Sequence, residues 1–139
     1  MAKNNISQWT LTLLRIVLGV IITYHGYLKL FVAGGLPGTT AFFAQVGLPL
    51  PNYSAILVAF AEFFGGLSLL LGVLTRLAAF VLIFQMLVAL FKVHLKNGLL
   101  VSKGGYELVL VILAGLVVIL VNGAGKLSLG KLFKKKYLQ

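Results

Sequence analysis

The sequence predicts an all-α integral membrane protein, a four-helix bundle with a short interfacial helix in the first loop. Its composition is the first indication, because 60% of the 139 residues are hydrophobic and only 10% are charged. A soluble domain carries about a quarter charged residues, so this chain lacks the polar side chains that would cover a water-facing surface. The second indication is four apolar segments, each close to the roughly 20 residues that a spanning helix needs. We therefore expect a single domain over residues 1–139.

The four predicted spanning helices are separated by segments rich in glycine, proline or lysine. Aromatic residues lie near their ends, Trp9 at one side and Tyr53 and Tyr106 at the other, as is typical of the two membrane interfaces. The helices are predicted at residues 9–31, 53–74, 75–95 and 105–122.

The first connection, residues 32–52, holds all three prolines and no charged residue. Between the glycines and prolines of this connection, the segment of residues 39–46 is long enough for a short helix that lies in the membrane interface. This helix would act as a lid. The second connection is a turn around Gly72 to Arg76, which predicts that the helices on either side are antiparallel neighbours.

The formal net charge of +10 would indicate a nucleic-acid partner in a soluble protein, but here most of the lysines flank apolar segments. We therefore predict no nucleic-acid binding and a lipid bilayer as the surroundings. The positive charges favour one side, where we expect both termini and a basic cytoplasmic tail over residues 123–139. That side has Lys3, Arg76, Lys126, Lys131, Lys134, Lys135 and Lys136; the other has Lys29, Lys92, Lys96 and Lys103.

The chain has no cysteine, which excludes disulfides, thiol redox centres and thiolate metal ligands within it. We predict no metal site. The chain has two histidines, His25 and His94, and histidine is a usual axial ligand of haem iron. Their expected depths differ by one to two helical turns, so haem is not the ligand that we predict.

Ionisable residues on the first helix fall on a single stripe that also contains glycines. Arg15, His25 and Lys29 are connected by successive steps of three or four residues, which places them on one face. An unpaired charge at the bilayer centre is costly, and the only carboxylates are Glu62 and Glu107. We expect Arg15 to pair with Glu62, Glu107 or both. Such an ion pair has either a purely structural role or a chemical one.

Histidines and lysines near the predicted outer end of the bundle are the candidate ligand-binding groups. His25 and Lys29 lie one turn apart and are placed to address one ligand, with Tyr24 beside them. Each has a simpler interpretation: Lys29 reaches the headgroups, and His25 binds a backbone carbonyl. Lys92 and His94 lie at a helix mouth, where His94 is either a ligand or a solvated loop residue.

A series of short motifs resembles the DoxX family of small membrane proteins. These are Arg15-Ile-Val-Leu-Gly, Tyr24-His25-Gly26-x-x-Lys29, Gly47-Leu48-Pro49, Ala61-Glu62-x-x-Gly65-Gly66, Leu71-Gly72-x-Leu74-Thr75-Arg76, His94-x-x-Asn97-Gly98, Gly104-Gly105-x-Glu107 and Ser128-Leu129. They follow the order of the family over nearly the whole chain. At Ala124, Lys126 and Gly130 the chain departs from the proline, arginine and aspartate that the family pattern would place there.

The resemblance implies a four-helix protein of the prokaryotic inner membrane that belongs to a quinone-linked oxidoreductase system. It also implies that the functional residues are Arg15, His25, Lys29, Glu62, His94 and Glu107. DoxD-type relatives are subunits of thiosulfate:quinone oxidoreductase, so thiosulfate and membrane quinone are the substrates that it implies.

A quinone-reactive subunit is the first functional hypothesis. His25, Glu62 and Glu107 would be catalytic, since a quinone needs hydrogen-bond donors and proton carriers. Tyr24, Lys29, Lys92 and His94 would bind the ligand, and a partner oxidoreductase subunit would supply any missing electron path. One alternative is a non-catalytic membrane anchor or assembly subunit. The other is a small transporter, for which a homo-oligomer would provide the room.

Overall fold

The structure is a computed structural model that describes residues 2–132 of the chain. It contains helices α1 (Ala2–Phe31), α2 (Gly35–Gln45), α3 (Pro51–Leu71), α4 (Thr75–Ala89), α5 (Glu107–Asn122) and α6 (Leu129–Leu132). After α4 the helix continues through a π-helical segment, Leu90–His94, and a 3-10 turn, Leu95–Asn97; a second 3-10 turn covers Val101–Lys103. Residues 2–132 contain no strand. The predicted all-α fold, with a short helix in the first loop, is confirmed.

The helices have the lengths and compositions of a membrane protein. Three are long and apolar enough to cross a bilayer: Asn5–Phe31, Pro51–Leu71 and Thr75–Asn97. The fourth apolar helix, α5, has 16 residues. At 1.5 Å per residue it rises about 24 Å, somewhat less than the roughly 30 Å of a hydrocarbon core. Part of the predicted basic tail, residues 133–139 with Lys134, Lys135 and Lys136, lies outside the described residues.

Helices α1 and α3 pack against each other through glycines. A β-carbon added to Gly19 would lie 2.7 Å from the Leu70 nitrogen, and one added to Gly26 would lie 2.6 Å from the Phe63 Cα. From the α3 side, Gly66 lies equally close to the backbone of Thr23. Small residues at a helix interface let two backbones approach in this way. The stripe predicted on α1 is therefore the face that meets α3.

The sharp turn between α3 and α4 makes these helices antiparallel neighbours. Gly72 ends α3 in a left-handed conformation with φ 72°, and its N–H donates to the Ser68 and Leu69 carbonyls. A glycine in this conformation is the usual way to end a helix. We call the end of the bundle that holds this turn and residues 123–131 the tail end. The opposite end, with α2 and the segment between α4 and α5, is the cavity end.

Arg15 is buried at the tail end, where it binds backbone carbonyls rather than a carboxylate. One terminal nitrogen, Nη1, donates to the Leu69 carbonyl and, at 2.9 Å, to the Leu70 carbonyl; Nη2 donates to the Leu127 carbonyl at 2.6 Å. The last carbonyls of a helix have no partner within the helix, so the guanidinium caps α3. The expected ion pair of Arg15 with Glu62 or Glu107 is therefore wrong, because the nearer acceptors are helix-terminal carbonyls.

The segment after α5 is attached to the bundle largely through its backbone. The Lys126 N–H donates to the Thr12 hydroxyl at 2.9 Å, and the Gly130 N–H donates to the Gly72 carbonyl at 3.2 Å. The Lys126 ammonium also lies 5.3 Å from the centre of the Trp9 ring. Because backbone groups make most of these contacts, docking does not need the proline, arginine and aspartate that the family pattern would place here.

Candidate ligand-binding site

A large cavity lies at the cavity end, between all four long helices and beneath α2. Its volume is about 1190 Å³, above the 300–1,000 Å³ that is typical of sites for small ligands. Most of its wall is apolar, from residues such as Ile22, Leu57, Phe84 and Val109. The ionisable and amide side chains that line it are His25, Lys29, Glu62, Gln85, Lys92 and His94.

Glu62 is the centre of a polar network that joins three helices. Its Oε2 forms an ion pair with the Lys29 ammonium of α1, and its Oε1 accepts a hydrogen bond of 2.7 Å from Gln85 Nε2 of α4. The side chain of Glu62 is 8% exposed and that of Lys29 is 20% exposed, so the pair is largely removed from solvent. Both carboxylate oxygens thus have a donor, and the pair adds no net charge to the cavity wall.

The close packing of α1 against α3 accounts for the Lys29–Glu62 pair. Gly26 lies one turn before Lys29 and touches Phe63, the residue after Glu62. This contact brings the two helix backbones together at the level where the opposite charges meet. Lys29 therefore points inward to Glu62. The simpler interpretation of the sequence, in which Lys29 reaches the headgroups, does not describe this structure.

His25 lies one turn before Lys29 on α1 and also lines the cavity. Among the described residues, its imidazole has no hydrogen-bond partner, and the side chain is exposed. The backbone-carbonyl partner that the sequence allowed is therefore not formed. Tyr24 precedes His25 but does not line the cavity, because its side chain leaves the helix on the outer face. His25 is thus free to bind a ligand, and Tyr24 is not placed to do so.

The π-helical segment holds His94 at the cavity wall. A π turn is rare and often marks a functional site. His94 Nδ1 lies 2.7 Å from the Gly104 carbonyl. A carbonyl only accepts, so Nδ1 carries the hydrogen and Nε2 is left as an acceptor in the neutral ring. Asn97 Nδ2 donates to the same carbonyl at 3.1 Å, which ties the segment before α5 to the end of α4. His94 is therefore an ordered residue and not a freely solvated one.

Glu107 lies apart from this group of residues. Its carboxylate accepts a 2.6 Å hydrogen bond from the Val101 N–H and thereby closes the loop that precedes α5. It does not line the cavity, although its neighbours Gly105 and Leu108 do. The structure therefore brings Glu62 and His25 to one cavity and leaves Glu107, the third predicted catalytic residue, at the start of α5, where it holds the preceding loop.

Helix α2 covers the cavity on the side away from the tail end. Thr39, Phe42 and Phe43 line it, and Phe43 is buried. The helix is joined to its neighbours through Gly34 and Gly47, which have φ of 80° and 73°.

Gln85 lies within the helix predicted at residues 75–95 but was not among the predicted site residues. Its neighbours Phe84 and Met86 also line the cavity. The available signal was an amide at the same expected depth as Glu62, because a polar side chain at mid-membrane needs a partner.

One family model, described as DoxX, matches residues 10–95. The chain is 42% identical over 69 residues to an "Uncharacterized protein" of Haemophilus influenzae, which covers 50% of this chain and 46% of that relative. It is 33% identical over 84 residues to the "Putative oxidoreductase CatD" of Bacillus subtilis, which covers 60% of this chain and 59% of that relative. The matches thus span about half the length of these curated relatives. No solved structure is significantly similar to the chain.

Proposed function

Because this chain belongs to the DoxX family of membrane proteins, we propose that it is a membrane subunit of a quinone-linked oxidoreductase and binds quinone in the cavity. The observation that carries the proposal is the combination of a large apolar cavity with the Lys29–Glu62–Gln85 network in its wall. An apolar pocket with a few convergent polar groups is the usual form of a small-molecule site. The name of the Bacillus subtilis relative, which includes the word "oxidoreductase", adds support.

The chemistry of quinone reduction matches the groups that line the cavity. A quinone takes up two electrons and two protons and becomes a quinol, with each carbonyl oxygen becoming a hydroxyl. His25, in its protonated form, would donate to one carbonyl and then transfer its proton. Glu62, held between Lys29 and Gln85, would relay the second proton. In this proposal His94 and Lys92 complete the polar side of the site.

The electrons would come from a reductant outside the chain, since the sequence holds no cysteine. If the reductant is thiosulfate, two anions join through a new S–S bond into tetrathionate and release the two electrons that quinone accepts. Lys92, Lys96 and Lys103 lie around the cavity end and would attract such an anion. A partner subunit would provide the electron path if the anion does not reach the quinone.

The orientation that suits this reaction places both termini in the cytoplasm of a prokaryote and the cavity toward the outer leaflet of the inner membrane. The excess of lysine and arginine on the tail side, from Arg76 to the basic tail, supports it.

Binding of a radiolabelled quinone to the full chain in lipid nanodiscs tests the proposal. We expect saturable binding by the wild type, and His25→Gln and Glu62→Gln to weaken it by about tenfold, the effect of losing one good hydrogen bond. Tyr24→Phe is the matched control, since Tyr24 neighbours His25 outside the cavity, and it should bind as the wild type does.

Absence of saturable quinone binding by the wild type would contradict the proposal. Folded His25→Gln and Glu62→Gln variants with wild-type affinity would contradict the assignment of the site. Either result would favour the alternative of an anchor subunit, in which the buried network only holds the helices in register.

A further inference from the structure

The cavity has an opening on the side of the bundle, between α3 and α4. Leu57 of α3 and Phe84 of α4 both line the cavity and are 70% and 69% exposed, whereas Ile22 and Val109, which also line it, are 2% and 7% exposed. A cavity-lining residue with so much exposed surface lies at the edge of an opening. Val81, one turn before Phe84, also lines the cavity, with 42% of its surface exposed, and marks the edge of the opening that is nearer the tail end.

Two contacts join α3 and α4 on the side of the opening that is nearer the tail end. Near the turn at the tail end they touch, since a β-carbon added to Gly65 would lie 3.2 Å from the Leu82 side chain. One helical turn further from the connection between α3 and α4, the long side chains of Glu62 and Gln85 bridge the two helices with a hydrogen bond of 2.7 Å. Beyond this bridge, toward the cavity end, Leu57 and Val58 of α3 and Val88 and Ala89 of α4 line the cavity.

The opening lies at the depth of the hydrocarbon core. Both helices are among those long and apolar enough to cross a bilayer. Phe84 is nine residues after Thr75 and so lies about 14 Å along the helix, near the middle of a hydrocarbon core of about 30 Å. Leu57, Val81 and Phe84 are all apolar, as side chains that face lipid are. A molecule that passes between them would come from the membrane and not from water.

We propose that this gap is a lateral portal through which the site takes a lipid-soluble ligand directly from the bilayer. The inference rests on the proposed function in naming that ligand as a quinone with a long isoprenoid tail. The head would meet Glu62 and Gln85 at the inner edge of the portal, and the tail would extend between Leu57 and Phe84 into lipid. A quinone without a tail would lack this second part of its binding surface.

The absence of cysteine from the chain allows a direct test of the portal. Val109 of α5 is buried and lines the cavity, so a reagent reaches Val109→Cys only through the cavity. The full-length variant in nanodiscs is treated with a maleimide on a long alkyl chain, which partitions into lipid. A charged, water-soluble maleimide is used in parallel, and mass spectrometry follows the labelling rates.

Phenylalanines one turn apart on α4 provide a matched pair of variants. Phe84 lines the cavity, whereas Phe80, 62% exposed, does not. Added to Val109→Cys, Phe84→Ala should widen the portal and raise the rate with the lipid-borne reagent about fivefold, and Phe80→Ala should leave it unchanged. Val81→Trp should narrow the portal and lower that rate about tenfold. The rate with the water-soluble reagent should not follow this order.

The portal would be refuted if the lipid-borne reagent labelled Val109→Cys alone and its three double variants at equal rates. It would also be refuted if only the water-soluble reagent labelled the cysteine. The same samples are assayed for binding of a long-tailed quinone. Portal-dependent labelling without quinone binding would leave the portal in place and refute the proposed function. Quinone binding together with labelling rates that do not change in the Phe84 and Val81 variants would support the proposed function and refute the portal.

Discussion

Gly26 of α1 lies so close to Phe63 of α3 that a β-carbon on the glycine would be 2.6 Å from the Phe63 Cα and 2.8 Å from its Cβ. This contact is one helical turn from Lys29 and one residue from Glu62. The ion pair in the cavity wall therefore depends on a glycine that makes no polar contact itself.

Gly26→Ala should destabilise the protein by about 1–3 kcal/mol, the range for a group forced into a packed interface. The added methyl group meets backbone, which cannot rotate away. Thermal unfolding in detergent measures the loss. Gly38→Ala is the control: nothing lies within 4 Å of its added β-carbon, and alanine stabilises a helix interior by about 0.5–1 kcal/mol relative to glycine. Equal effects of the two substitutions would contradict close packing at Gly26.

Arg15→Leu should destabilise the protein by about 3 kcal/mol, because three buried or partly buried carbonyls lose their charged donor. Arg15 and Glu62 share no partner, so adding Glu62→Gln should change the free energy of unfolding by the same amount in both backgrounds, to within about 0.5 kcal/mol. A double-mutant cycle by denaturant unfolding measures this. Rescue of Arg15→Leu by Glu62→Gln would instead indicate the ion pair that the sequence predicted.

Lys29→Met should be far more harmful than loss of a surface lysine, because it leaves the buried Glu62 without its cation. We expect a loss of about 3–5 kcal/mol, as for other broken buried pairs. Lys29→Met combined with Glu62→Gln should recover part of it, with a coupling energy of about 0.5–3 kcal/mol in the same kind of cycle. Lys96→Met, at an exposed lysine, should change stability by no more than about 0.5 kcal/mol. A cycle with zero coupling would show that the pair does not form in the membrane.

Glu107→Ala should speed hydrogen exchange at the Val101 amide, since that N–H loses its acceptor at a local cost of about 1 kcal/mol. Glu107→Gln keeps an acceptor oxygen and should leave the loop intact. Hydrogen-exchange mass spectrometry checks the loop, and quinone binding checks the site. Loss of quinone binding in Glu107→Gln with an ordered loop would place Glu107 back among the catalytic groups.

Apolar patterning determined most of the fold. The second spanning helix was predicted at residues 53–74, and α3 covers Pro51–Leu71 with Gly72 as its cap, so each bound differs by two or three residues. Proline in the first turn and glycine after the last turn are the residue types that mark these bounds. The π-helical segment Leu90–His94 could not be seen in this way. Its residues have no composition that distinguishes them from the α-helix before them, and the change depends on tertiary contacts such as His94 with Gly104.

The candidate site was predictable only in part, because sequence indicates depth better than pairing. His25 and Glu62 were both among the predicted site residues and both line the cavity, but the partner of Glu62 depended on which helix faces it. Arg15 shows the physical limit most clearly. Its acceptors are backbone carbonyls of Leu69, Leu70 and Leu127, and every residue has a carbonyl, so no side-chain pattern marks them.

The carbonyls around Arg15 also set an order of events during biosynthesis. Two of them come from the end of α3, and the third comes from Leu127, beyond the last spanning helix. A ribosome that feeds this chain into the membrane makes Arg15 long before it makes Leu127. The first helix must therefore enter the bilayer with a guanidinium that is still short of a partner. The guanidinium becomes fully paired only when the segment that contains Leu127 folds back, so its site is completed by residues synthesised after α5.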